Sequence, residues 1–208
     1  AGAAGAAGAA GGARGIKSLL ASYVASPVKL SFFLFAMIRS AGSVLVENML
    51  FLYFRQEGAS YFICGLSVVI TVVFEIPLFR FSKRLLQWFG ASGCVAMSGL
   101  CYSVRVVGYT LVDSGVWMLP FEPMHGVTYA FWQTASVEVM ASITPPELQA
   151  TGQALLGAAS SLGNTAGNLG GGVVIDRFGE AALYRGAAAV VGAGLAVYAA
   201  ASCADARR

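Results

Sequence analysis

Six charged side chains lie inside long apolar runs, where ordinary packing gives them no reason to be: Arg39, Glu47, Glu75, Arg105, Glu122 and Glu138, with His125 three residues after Glu122. A carboxylate that shares a wet interior with an arginine binds or releases a proton according to how much water and how much cation reach it. The chemistry on offer is therefore proton binding, solute binding, or both. Enzyme chemistry has no matching pattern, since neither H-E-x-x-H nor G-x-S-x-G occurs. The E-x-x-H of Glu122 and His125 lacks the second carboxylate helix that a di-metal site needs, and His125 has no second ligand near it in sequence. The expectation is no catalytic residue, no metal and no cofactor.

Spacing groups these residues. Ser40, Ser43 and Glu47 recur at three and four, as do Ser67, Thr71 and Glu75 at four. Further along come Ser98, Tyr102, Arg105 and Tyr109, then Glu122, His125, Tyr129, Trp132, Gln133 and Ser136, then Gln153, Ser160, Asn164 and Asn168. Steps of three, four and seven put each set on one helical face. Each charge left facing lipid would cost about 2.5 to 3.5 kcal/mol at mid-membrane, so the faces turn inward around an aqueous cavity, with Tyr129, Gln133, Asn164 and Asn168 among its walls. Depth along the helices allows Arg105 to pair with Glu122 or Glu47, and Arg39 with Glu75.

The elements that hold these faces are membrane spans. Of 208 residues, 57% are hydrophobic and 11% charged, far below the roughly 25% of a soluble domain. Runs long enough to cross a hydrocarbon core predict six helices, at about 30–54, 59–80, 91–112, 117–140, 150–175 and 181–203. The joints read Q-E-G, W-F-G, D-S-G, T-P-P-E and D-R-F-G, ending at Gly58, Gly90, Gly115, Glu147 and Gly179. Residues 1–29, opening on an Ala/Gly run, read as a flexible linker or tail, and 30–208 as the transmembrane domain. Arg14, Lys17, Lys29, Arg80, Lys83, Arg84, Arg207 and Arg208 fall at one set of span ends against Arg55, Arg177 and Arg185 at the other, which puts both termini in the cytoplasm. Net charge of +3 is too small to attract nucleic acid. Cys64, Cys94, Cys101 and Cys203 read as small buried side chains. Gly163, Gly167 and Gly171 form a ridge that admits a neighbouring backbone, Ala188, Gly192 and Ala196 suit close packing at the bundle's outside, and Pro77, Pro120 and Pro123 permit bends beside Glu75 and Glu122.

Several segments carry a family likeness: E-N-M-L-F-L-Y-F from Glu47, F-E-I-P-L-F from Phe74, L-P-F-E-P-M-H-G from Leu119, P-P-E-L-Q-A-T-G-Q from Pro145 and G-G-G-V-V-I-D-R-F-G from Gly170. They resemble the carboxyl-terminal half of a major facilitator superfamily transporter, in the branch of facilitator domain-containing protein 6 and the lactose-permease-like proton symporters. That resemblance implies six of twelve transmembrane helices, with a missing amino-terminal half or a second copy completing a midplane site. It implies a substrate role for Glu75 and proton coupling for Arg105, Glu122 and His125. Two departures stand out. His125 follows the acid where the permease has it first, and the loop R-F-S-K-R-L-L-Q-W-F-G from Arg80 lacks the family's aspartate.

The function expected is secondary active transport by alternating access, carrying a small polar solute, sugar- or nucleoside-like, together with H+. The alternative is a membrane receptor or assembly protein that keeps the fold without the cycle.

Overall fold

The computed structural model describes residues 15–206, and the Ala/Gly run through Ala13, together with Arg14, Arg207 and Arg208, lies outside them. Helix α1 covers residues 15–25, α2 Pro27–Gln56, α3 Tyr61–Arg80, α4 Ser82–Tyr109, α5 Glu122–Ile143 and α6 Gln149–Ala206, with 3-10 turns at Gly115–Phe121 and Pro146–Leu148. No strand occurs among the described residues. Part of the stretch expected to be linker is therefore helical: α1 buries Leu19 and Tyr23, and the Tyr23 hydroxyl lies 2.6 Å from Thr144 Oγ1.

Glycine sets the breaks. Gly58, Gly90 and Gly179 have φ of 78°, 66° and 77°, the left-handed region that residues with a Cβ avoid. Gly90 bends α4 into two segments and Gly179 does the same to α6. The joint residues read from the sequence thus mark real reversals at three places. Two prolines shape the start of α5. Pro120 lies in the 3-10 turn and Pro123 in the helix's first turn, where a missing N–H is tolerated. The expected 117–140 span is accordingly a 3-10 entry followed by α5, and Glu122 is a first-turn residue rather than one well inside a helix.

Among the described residues four elements are long and apolar enough to cross a membrane, against six expected: α2, α3, α4 and the stretch Pro146–Asp205. That last stretch counts once although Gly179 bends it. Helix α5 is not among them, and it carries Glu122, His125, Gln133 and Glu138. Helix α3 buries only Cys64 and Ser67, leaving Val68, Val69, Val72, Val73, Phe74 and Ile76 exposed, a surface suited to lipid or to another helix.

Packing is closest between α2 and α6. A Cβ on Gly167 would stand 2.6 Å from the Ala41 carbonyl oxygen, Gly163 presses in the same way on the Met37 backbone, and Gly171 makes room for the Leu45 side chain. The expected ridge does admit a neighbouring backbone. Beyond Gly179, Tyr184, Val191 and Tyr198 recur at seven and are buried; Tyr184 donates to the Val46 carbonyl at 3.3 Å. Ala188 is buried too, whereas Ala196 is exposed. Of the cysteines Cys64 and Cys94 are buried, and Cys203 is exposed.

Candidate functional site

Arg105 and Tyr109, one turn apart on α4, face the first turn of α5. Both are buried, at 2% and 0% exposure, as is Glu122 at 1%. The Arg105 Nε donates to the Tyr109 hydroxyl at 2.7 Å, and that hydroxyl donates to Glu122 Oε1 at 2.5 Å. Thr71 of α3 donates to the other carboxylate oxygen at 3.0 Å. The expected pairing of Arg105 with Glu122 is thus carried through Tyr109. A tyrosine O–H can accept from one neighbour and donate to another, and it separates two charges that desolvation would penalise singly.

Arg105 also reaches His125 through Nη1 and Nδ1. Arginine has no acceptor, so Nδ1 receives that hydrogen bond and the imidazole proton sits on Nε2. The Tyr129 ring stacks on His125 at 6.3 Å with planes 12° apart.

Local sequence fixes this geometry. Gly108 lies under the Phe121 ring, where a Cβ would come within 2.6 Å of Phe121 Cδ1, so the 3-10 turn folds back over the end of α4. Phe121, Phe54 and Tyr184 pack around the Tyr109 ring with centroids 6.0, 6.2 and 6.2 Å away. Gly126 lets the backbone of α3 approach α5, with a Cβ there only 2.9 Å from the Glu75 nitrogen.

Two spaces open on the cluster. A cavity of about 250 Å³ is lined by Glu47, Ser67, Thr71, Glu122 and His125. Beside it a crevice of about 10 Å³ is bordered by Arg39, Glu47, Tyr102, Arg105, His125 and Tyr129. Glu47 and His125 belong to both. The residues expected to couple, Arg105, Glu122 and His125, therefore come together, with Glu47 on the rim.

Other expected residues stand apart. Glu75 is half-buried one turn beyond Thr71 and lines neither space. Arg39 does not turn to it: its Nε and Nη2 each approach an acceptor at 3.4 Å, Ser98 Oγ and the Thr128 carbonyl, and its guanidinium lies 4.7 Å from the Trp132 ring. Asn164, Asn168, Gln133 and Glu138 are exposed, and Asn168 accepts from Asn48 at 2.9 Å across the α2–α6 seam. Helical spacing places Tyr109 on the right face, but its role as a bridge rests on a neighbour 13 residues away, Glu122. The Thr128 carbonyl, which ties Arg39 and Ser98 to α5, was missed altogether, because a main-chain acceptor leaves no mark in a sequence.

Comparison with known proteins fits this architecture. The MFS_1 like family matches residues 10–186. Human major facilitator superfamily domain-containing protein 6-like is 27% identical over 141 residues, covering 67% of this chain and 24% of that protein. The Xenopus laevis major facilitator superfamily domain-containing protein 6-like protein A is 24% identical over 67% of this chain and 23% of its own length. The uncharacterized transporter YwbF of Bacillus subtilis (strain 168) is 28% identical over 74% of this chain and 40% of its own. The chain thus spans between about a quarter and two fifths of the curated relatives it matches. No solved structure matches. With apolar helices of spanning length and a family match over most of its residues, the chain is an integral multi-pass membrane protein and belongs to the MFS_1 like family.

Proposed function

We propose that this chain is the six-helix half of a facilitator that moves a small polar solute, sugar- or nucleoside-like, together with a proton by alternating access. Residues 30–208 form the transmembrane half, both termini face the cytoplasm, and a second six-helix unit covers the exposed polar face of Gln133, Asn164 and Asn168. The observation that carries the reading is the buried chain Arg105–Tyr109–Glu122 beside a cavity of about 250 Å³.

The mechanism follows from which groups accept. With Glu122 ionised, both its oxygens receive hydrogen bonds, from Tyr109 and Thr71. Protonation replaces one acceptor by a donor. When that donor is Oε1 it turns toward Tyr109, which then keeps its own hydrogen for another acceptor, and Arg105 no longer faces a negative charge at the end of the bridge. His125, already bonded to Arg105 and facing both spaces, carries that change to solute in the cavity, with Glu47 at its rim. Glu75, outside the cluster, contacts solute in another state of the cycle. No step calls for a cofactor, a metal or bond-breaking chemistry.

The test is uptake by the intact protein in proteoliposomes with an imposed proton gradient, scanned over labelled sugars and nucleosides. Uptake driven by an inward proton gradient is expected, with Glu122→Gln retaining solute exchange but losing the drive at least tenfold. Uptake that ignores the gradient, or a Glu122→Gln protein that concentrates solute normally, overturns the coupling.

A further inference from the structure

The two buried arginines are satisfied unequally. Arg105 spends its Nε and Nη1 on Tyr109 and His125, and through Tyr109 answers a carboxylate. Arg39 is 5% exposed and has two bonds, both at 3.4 Å, from five N–H donors. That length is at the weak end of hydrogen bonding. Neither partner is charged. Trp132 covers one face of the guanidinium, and Ser98 gives its own proton to the Thr128 carbonyl at 2.8 Å, so among the described residues no carboxylate bonds the cation directly, the nearest acid on the crevice being Glu47.

Tyr102 lines the same crevice and is 2% exposed; its hydroxyl, beside Gly42, has no hydrogen-bond partner among the described residues. A buried O–H without a partner costs free energy that a ligand acceptor would return. The crevice is therefore lined by two arginines with N–H groups to spare and a tyrosine with an unused O–H, with its carboxylate, Glu47, on an exposed rim. Its volume of about 10 Å³ admits a single oxygen-sized group. A neutral hydroxyl would satisfy Tyr102 and leave the charge of Arg39 unanswered; an anionic oxygen does both.

We propose that the crevice is an anion subsite: the solute carries a carboxylate or phosphate whose oxygen is held by Arg39, Arg105 and the Tyr102 hydroxyl. This rests on the transport reading above and narrows its substrate to anionic members of the polar solutes considered there.

The test reads binding without turnover. The intact protein in detergent at constant ionic strength is titrated with matched pairs, glucuronate against glucose and uridine monophosphate against uridine, and the saturable rise in Tm is recorded. One anion at least is expected to stabilise while its neutral partner does not; which anion succeeds separates carboxylate from phosphate. Arg39→Gln is expected to weaken that binding at least tenfold. Tyr102→Phe removes only an unbonded hydroxyl, keeps the fold, and is expected to weaken it several-fold. Equal binding of the neutral partners, no effect of either anion, or anion binding unchanged in both variants overturns the subsite. Proton-driven uptake without anion binding sinks this proposal alone, and anion binding without such uptake sinks the transport reading alone.

Discussion

The seam between α2 and α6 and the cluster between α3, α4 and α5 are both tightly buried, yet they hold together by opposite means. Along the seam, Gly163 and Gly167 remove side chains so that backbone meets backbone and Gly171 receives the Leu45 side chain, an arrangement that works in lipid because dispersion needs only proximity. In the cluster, Thr71, Arg105, Tyr109, Glu122 and His125 meet through directed hydrogen bonds that have alternative arrangements. Close apolar packing gives one arrangement; a chain of donors and acceptors has hydrogens that can be redistributed. On the transport reading proposed above, the seam serves as the frame and the cluster as the part that rearranges.

Substitutions that break this contrast should differ in kind. The largest effect is expected from Gly167→Val, which drives a side chain into the Ala41 carbonyl at 2.6 Å and should cost about 3 kcal/mol or more. Size-exclusion chromatography in detergent would show aggregate in place of a single peak. Gly172→Ala, where a Cβ meets open space, should elute as the parent does. Next comes Tyr109→Phe. Removing the bridge leaves Arg105 and Glu122 short of one partner each, for a loss of about 1 to 3 kcal/mol measured by thermal unfolding. Proton-driven uptake should fall about tenfold more than solute exchange, whereas a purely structural tyrosine would lower both alike. Smaller again is Thr71→Val, which removes a single bond of 3.0 Å and should cost about 1 kcal/mol with uptake reduced a few-fold at most.

How much of this was legible depends on what kind of atom does the work. Gly58, Gly90 and Gly179 could be read directly, because positive φ is a demand that glycine meets most readily. The ridge at Gly163, Gly167 and Gly171 and the shared face of Arg105 and Tyr109 could be read from helical spacing. The start of α5 could not: Pro120 and Pro123 fit a bent span as well as a 3-10 entry, and only the packed turn decides. Arg39 was assigned an acidic partner because charge pairing is visible in sequence, whereas its actual neighbours are a hydroxyl, a carbonyl and an indole face. Tyr184 and Tyr198 escaped notice because hydroxyls fourteen residues apart among alanines make too sparse a pattern.

The central claim is that Arg105 and Glu122 act as one unit through Tyr109. A double-mutant cycle on the intact protein, combining Arg105→Gln with Glu122→Gln and reading unfolding free energy in micelles, measures that coupling directly. A coupling of about 1 to 3 kcal/mol that collapses toward zero in a Tyr109→Phe background is the predicted result. Additive losses in the parent protein, or a coupling untouched by Tyr109→Phe, would contradict it.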